Sequence, residues 1–212
     1  MWPRRAAQEV IIDNFILASN SPQRRLLLSE SGYRFTVVSP TLQEPQDLHK
    51  SLTPAQQAEA LAYFKARAVV ESLQPDVPVL GADTVVALND RIFGKPANPA
   101  DARAMLGQLS GTRHAVITGV ALLSPTGDRL IASETTYVQM RRLTDEELDA
   151  YIASEDWQGK AGGYGIQDSG DEFIDRIDGS FSNVVGLPMD LVKDLFAQLT
   201  LRLRYRGTGA CT

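Results

Sequence analysis

Ala115-Val116-Ile117-Thr118-Gly119-Val120-Ala121-Leu122-Leu123 is followed, after one serine, by Pro125-Thr126-Gly127-Asp128 and then by a second long run at residues 129–141. Two apolar, β-branched runs around a Pro/Gly/Asp turn predict an antiparallel hairpin. Working outward, strands and helices interleave. Residues 10–18 read as a strand, and Ser21 then caps a helix with Pro22 at its first position and Gly32 as its stop. Residues 34–38 read as a short strand. Thr53-Pro54-Ala55-Gln56 opens a second helix with a capping box, running to about Leu73. Residues 79–88 form a buried-strand pattern, and Asn98-Pro99 caps a third helix through Leu109. Downstream of the hairpin, Thr144–Glu147 is another capping box for a helix to about Ala153. A glycine-rich stretch then runs from Gly159 to Gly170, a strand follows at 172–177, and a last helix spans 188–199 before an Arg-rich, frayed tail. Alternating elements with a hairpin in the middle predict an α/β fold with a mixed sheet, not a pure doubly wound one.

The chain has 212 residues, enough for a core without disulfides, and no repeat or linker divides it. It reads as one domain over 1–212, with a core at about 15–199 and flexible tails. Lys and Arg number 21 against 26 Asp and Glu, a net charge of −5, which argues against a coat for extended nucleic acid or a membrane surface. The single cysteine, Cys211, and the two histidines, His49 and His114, are too few for a disulfide framework or a Cys/His metal centre. Gln8 and Glu9 interrupt the first apolar stretch, so neither a secretory signal nor a spanning helix is expected. These features predict a cytoplasmic protein.

Familiar phosphate motifs fail. Gly94-Lys95-Pro96 lacks the hydroxyl residue of a Walker loop, and Asn89 stands where its first glycine belongs. Gly163-Tyr164-Gly165-Ile166-Gln167-Asp168 lacks the final glycine of the dinucleotide pattern. What remains is a set of polar residues in unusual places. Arg24 lies in the first turn after Ser21, where the helix dipole disfavours a cation unless an anion compensates; ordinary capping with solvated arginines is the alternative. Asp83 interrupts an apolar strand, where a carboxylate is costly unless paired or metal-bound, and Gly81 just before it allows close approach of a ligand or backbone. Lys65 shares a helical face with Leu61 and Val69, either directed inward or snorkelling to solvent. Lys95 is pinned between glycine and proline, Glu44 stands in the loop Pro40–Pro45, and Gln167 follows a glycine-rich run. Each of these three also fits an ordinary solvated loop or turn. Together, Arg24, Lys65 and Lys95 with Glu44, Asp83 and an amide suit phosphoryl chemistry, in which cations neutralise charge and a carboxylate orients water. His114 and Trp157 read as residues of packing or loop geometry, without chemistry.

From about Phe15 to Leu199 the sequence resembles the Maf family of nucleoside triphosphate pyrophosphatases. The resemblance rests on Leu17-Ala18-Ser19-Asn20-Ser21-Pro22-Gln23-Arg24, Leu80-Gly81-Ala82-Asp83-Thr84-Val85-Val86, Gly94-Lys95-Pro96 and Met105-Leu106-Gly107-Gln108-Leu109-Ser110-Gly111. It continues through His114-Ala115-Val116-Ile117-Thr118-Gly119-Val120, Lys160-Ala161-Gly162-Gly163-Tyr164-Gly165-Ile166-Gln167 and Asn183-Val184-Val185-Gly186-Leu187-Pro188. It implies a Maf/inosine-triphosphatase-like α/β fold, a long mixed sheet with flanking helices forming two lobes around a cleft, and a homodimer. It implies hydrolysis of a nucleoside triphosphate to the monophosphate and pyrophosphate with Mg²⁺ or Mn²⁺. In that scheme Asp83 is the general base and a metal ligand, Glu44 assists the metal, Ser21, Arg24, Lys65 and Lys95 hold phosphates, and Gln167 lies near the base. The Trp157…Lys160-Ala161-Gly162…Tyr164…Ile166-Gln167 pattern resembles the branch acting on dTTP and UTP. Gln23 in place of an arginine, Thr41-Leu42-Gln43 before Glu44, and Asp168 depart from the family pattern. Two alternatives stand beside this expectation: the same reaction on 7-methyl-GTP or other modified purines, and a non-catalytic nucleotide- or nucleic-acid-binding regulator of septum formation.

Overall fold

The structure is a computed structural model and describes residues 14–41, 52–89, 91–167 and 169–208. The predicted hairpin is present. Strand β5 (Arg113–Leu123) and strand β6 (Arg129–Met140) pair antiparallel from Arg113↔Gln139 to Leu123↔Arg129. The turn closes through Ser124 N–H to Asp128 O at 2.9 Å and Gly127 N–H to Ser124 O at 3.1 Å.

The other strands are β1 (Phe15–Ala18), β2 (Phe35–Val38), β3 (Val79–Leu88), β4 (Arg91–Phe93) and β7 (Ile174–Asp178). They form one seven-stranded sheet, ordered β2-β1-β3-β5-β6-β7 with β4 on the edge of β3. Strand β1 runs parallel to β2 and to β3, and the remaining pairs are antiparallel, so the sheet is mixed as expected. Helices α1 (Pro22–Glu30) and α2 (Pro54–Leu73) carry the chain from β1 to β2 and back across β1 to β3. Right-handed crossovers in opposite directions put these helices on opposite faces. The packing agrees. Leu28 of α1 is buried with Phe15, Leu17, Leu80 and Ala82, whereas Ala62, Ala66 and Val69 of α2 pack against Ile16, Ala18 and Val79.

Helix α2 rests on the sheet backbone itself. A Cβ on Gly119 would lie 2.3 Å from Ala58 O, and one on Gly81 would lie 2.3 Å from Ala62 O. The close approach expected at Gly81 is therefore made by α2. On the opposite face the core has two parts. One surrounds α1 and α6 (Met189–Thr208); the other gathers α3 (Pro99–Leu109), α4 (Asp145–Ala153), Trp157, Tyr164 and Phe173. Along β3 the first cluster owns Leu80 and Ala82 and the second owns Val86, with Thr84 between them. Along β5 the first owns Val120 and Leu122 and the second Val116, with Thr118 between. A short helix, α5 (Phe181–Val185), sits at this polar seam: Thr118 Oγ1 donates to Asn183 O at 3.1 Å, and Asn183 Nδ2 donates to Val116 O at 3.0 Å.

Some boundaries differ from the sequence reading. The short β4 follows Asn89, whose φ of 49° turns the chain back onto β3. The stretch before β7 is a 3₁₀ turn at Ser169–Phe173, so the strand begins at Ile174. The last helix does not stop at Leu199 but continues to Thr208, because Leu203 extends the apolar stripe of Leu195 and Leu199 over the same cluster. No helix among the described residues is long and apolar enough to cross a membrane.

Candidate active site

Strand β1 lies between strands reached by connections running in opposite directions, so its carboxyl end is a topological switch point, where open α/β sheets leave a crevice. The register makes the crevice. Pairing of β1 with β3 ends at Ala18↔Gly81, and β4 meets β3 only from Val86 to Leu88. Between these pairings, residues 82–85 of β3 have no strand neighbour on that side among the described residues. Asp83 and Thr84 occupy this gap, pointing to opposite faces.

Asp83 shares its face with Gly81 and hence with α2. There Lys65, one turn beyond Leu61 on α2, forms an ion pair with Asp83 Oδ1, both side chains being largely buried. Lys65 thus meets a carboxylate and does not snorkel to open solvent. On the other face, Arg24 is almost fully buried and carries several bonds. Its Nε donates to Gly186 O at 2.7 Å, Nη2 to Thr84 Oγ1 at 3.0 Å and Nη1 to Ser19 Oγ at 3.4 Å. Ser21 caps α1 as predicted, its Oγ accepting from Arg24 N at 3.3 Å, and the first turn of α1 contains no acid. Burial lowers the guanidinium's pKa from its usual value, and Asp83 acts in the opposite direction. Gly186 reaches Arg24 from the residue that ends α5; its φ of 124° suits glycine, and Thr84 Oγ1 and Arg24 Nε lie within 4 Å of where a Cβ would stand.

A cleft of about 820 Å³ collects Ser21, Arg24, Lys65, Asp83, Lys95 and Gln167. Lys95 and Gln167 are exposed, on the turn after β4 and on the segment after Tyr164. Glu44 lies outside the described residues. The sequence reading gave no site role to Thr84 or Gly186, which also line the cleft, as do Gln23, noted there as a departure from the family pattern, and Lys160 of the branch pattern. Thr84 carried a signal, being a polar residue next to Asp83 in an apolar strand. Gly186 acts through a carbonyl that no side chain announces. Among the described residues no group of three or more His, Cys, Asp or Glu could cage a metal, and of the expected pair Asp83 and Glu44 only Asp83 lies among them.

Among the described residues, cations from α1, α2 and two loops converge with one carboxylate at a switch point of the α/β sheet, an arrangement whose charge suits a small polyanion. The Maf-like protein family profile matches residues 14–199, and the chain belongs to this family. It is 46% identical over 174 residues to a dTTP/UTP pyrophosphatase of Geobacillus sp. (strain WCH70), covering 82% of this chain and 91% of that one. It is 46% identical over 188 residues to the dTTP/UTP pyrophosphatase of Bdellovibrio bacteriovorus, covering 86% and 97%. Among solved structures, it is similar to a nucleoside-triphosphatase/dITP/XTP pyrophosphatase of Mycobacterium abscessus at a TM-score of 0.40 and 17% identity, over 66% of this chain and 94% of that one.

Proposed function

We propose that the chain hydrolyses dTTP and UTP to the monophosphate and pyrophosphate, with Asp83 as general base. The observation that carries this reading is the Lys65–Asp83 pair in a cleft beside the buried Arg24. The names of relatives at 41–46% identity over most of the chain support the substrate. Asp83 orients a water and takes its proton as the water oxygen attacks the α-phosphorus. The bond to the bridging oxygen breaks, and pyrophosphate leaves with the electron pair. Arg24, Lys65 and Lys95 meet the negative charge on the phosphates, Ser21 adds a hydroxyl and the N-terminus of α1, and Gln167 faces the base.

Hard oxygen donors suit a divalent cation, and such ions are commonly held by one or two carboxylates together with substrate phosphates, so a site with Asp83 fits without a protein cage. Asp83 and Glu44 would hold Mg²⁺ or Mn²⁺, which supplies Lewis-acid neutralisation of the phosphate charge when bound. The place of action is the cytoplasm, where nucleoside triphosphates are available. The homodimer implied by the family resemblance is tested by light scattering: twice the 23.2 kDa chain mass supports it and 23.2 kDa overturns it.

The principal test is pyrophosphate release by wild type and Asp83→Asn over a panel of dTTP, UTP, 7-methyl-GTP and the common purine triphosphates. Removing the general base is expected to lower dTTP turnover by about 10²–10⁴-fold with nucleotide binding retained. Wild-type turnover in the variant overturns the role of Asp83, and preference for a purine overturns the substrate.

A further inference from the structure

His114 and Tyr164 form a buried polar pair that the proposed reaction does not use. His114 on β5 is 1% exposed and Tyr164 is 5% exposed. The phenol oxygen lies 2.6 Å from Nε2, with the rings edge-on. Their protons can be placed by counting donors. Thr112 Oγ1 lies 3.5 Å from His114 Nδ1, and its own hydrogen goes to Leu109 O at 2.7 Å. Only lone pairs of that oxygen remain for the imidazole, so Nδ1 carries the ring proton. Nε2 is then the bare acceptor, and Tyr164 donates to it. Burial favours the same state: it lowers His114 to about 4 and raises the Tyr164 phenol well above its usual value, so both are neutral at neutral pH. The bonds run from Tyr164 through His114 and Thr112 to Leu109, the last residue of α3.

Tyr164 carries a wall of the cleft. Tyr164, Gly165, Ile166 and Gln167 all line it, and the same segment is tied to the Lys95 turn because Gly162 N–H donates to Gly94 O at 2.9 Å. Gln167 is exposed, so the backbone that bears it decides where its amide stands. Packing of Tyr164 and Ile166 sets the depth of the segment in the core. A hydrogen bond adds direction, which packing alone does not supply.

We propose that His114, acting through Tyr164, is a positioning residue that holds the Tyr164–Gln167 segment where its amide meets the base of the bound nucleotide. The identity of that nucleotide rests on the reading above, whereas the positioning is a property of the free protein. Without the imidazole acceptor, the buried phenol O–H loses its bond to Nε2, which releases the ring and the segment it carries from that direction. Asp83, Lys65 and Arg24 sit on β3, α2 and α1, and of the groups that meet the phosphates only Lys95 is tied to this segment, so the loss falls on binding more than on the chemical step.

The test compares wild type with Tyr164→Phe, His114→Leu, His114→Gln and the Tyr164→Phe/His114→Leu double variant. The glutamine oxygen can accept where Nε2 did. Tyr164→Phe and His114→Leu are expected to raise KM for dTTP about ten-fold, with kcat within about two-fold of wild type. Amide exchange across residues 161–167 quickens in both variants. The double variant is no worse than the worse single one, and His114→Gln restores both KM and protection. If both single variants lose thermal stability but keep wild-type KM and exchange, the pair is a core contact only and the proposal fails. If wild type hydrolyses no triphosphate, the functional reading fails, and exchange alone then decides: faster exchange at 161–167 in Tyr164→Phe supports the positioning role, and unchanged exchange overturns it.

Discussion

The two walls of the cleft carry different side chains and are held by different means. On the wall built from α1, α2 and β3, Arg24 is gripped by Gly186 O, Thr84 Oγ1 and Ser19 Oγ, while Lys65 and Asp83 hold each other. On the wall built from residues 157–167, Trp157, Tyr164 and Ile166 are buried in an apolar cluster with Leu106, Leu109 and Met140, and the Tyr164–His114 bond supplies direction. A buried charge needs polar partners because an unmet one is costly in a low dielectric. The three partners of Arg24 are neutral oxygens, which orient a guanidinium without cancelling its charge and leave that charge for an anion. The apolar wall buries no charge, so shape and a few neutral bonds, those of Trp157 Nε1, Gly162 N–H and Tyr164, suffice.

The largest expected effect breaks the polar wall. Arg24→Met keeps the stem but removes the cation, and should lower dTTP turnover by about 10²–10³-fold, measured as pyrophosphate release. Arg24→Lys should recover little, since one ammonium cannot span Gly186 O, Thr84 and Ser19 at once. Recovery to wild type would show that charge alone matters and that the grip does not. The next effect acts on the spacing behind that wall. In Gly119→Ala the new Cβ would meet the backbone of α2 within 2.3 Å, so the helix carrying Lys65 must move. The expected cost is about 3 kcal/mol, or a Tm lower by roughly 6–12 °C in calorimetry. An unchanged Tm would mean that α2 is not seated on the sheet as described.

The same contrast decides what the sequence made legible. The polar wall announced itself because Asp83 and Lys65 interrupt apolar periodicities, and its helix starts were local signals. Ser21, Thr53, Asn98 and Thr144 all cap where their sequence neighbours predict. The hairpin at Gly127 and the strand Val79–Leu88 were equally local. What stayed hidden depends on contacts remote in sequence. Gly186 lies 162 positions from the Arg24 it binds, and His114 lies 50 from Tyr164. His114 therefore read as packing or loop geometry with no partner named, although its ring bonds Tyr164 of the second wall. Strand β4 was too short for a period to register, and the run to Thr208 was masked by arginines flanking Leu203.

Acid separates the walls a third way. Burial alone lowers His114 from 6.5 to about 4, with no charged group contributing. Between those values the unfolded chain binds a proton that the folded chain refuses, so stability is complete above about pH 6.5 and is lost as pH falls towards 4. The shift corresponds to about 3 kcal/mol by the lower limit. Tyr164, its direct partner, does not titrate in this window. Urea unfolding at pH 7 and pH 4.5 should show a steeper acid loss for wild type than for His114→Gln. Equal losses would mean that the imidazole is not held neutral in the fold.

The smallest effect belongs to a cation outside both walls. Arg202, on the extension of α6, is half exposed and approaches Asp128 Oδ1 only to 3.9 Å. Asp128 is itself well buried, but its other oxygen accepts from Thr126 Oγ1 at 2.9 Å and Ser124 Oγ at 3.2 Å within the hairpin turn. The turn thus satisfies its acid locally, and the arginine adds a screened, loosely held pair of the kind worth about 0–1 kcal/mol. Arg202→Ala should leave dTTP turnover unchanged and shift the urea midpoint by an amount equivalent to about 0.5 kcal/mol or less. A loss comparable to that of Arg24→Met would mean that burial and multiple neutral partners are not what distinguishes a working cation in this protein. The contrast predicts otherwise: Arg24 is buried and held on three sides, whereas Arg202 has neither restraint, so water can replace it at little cost.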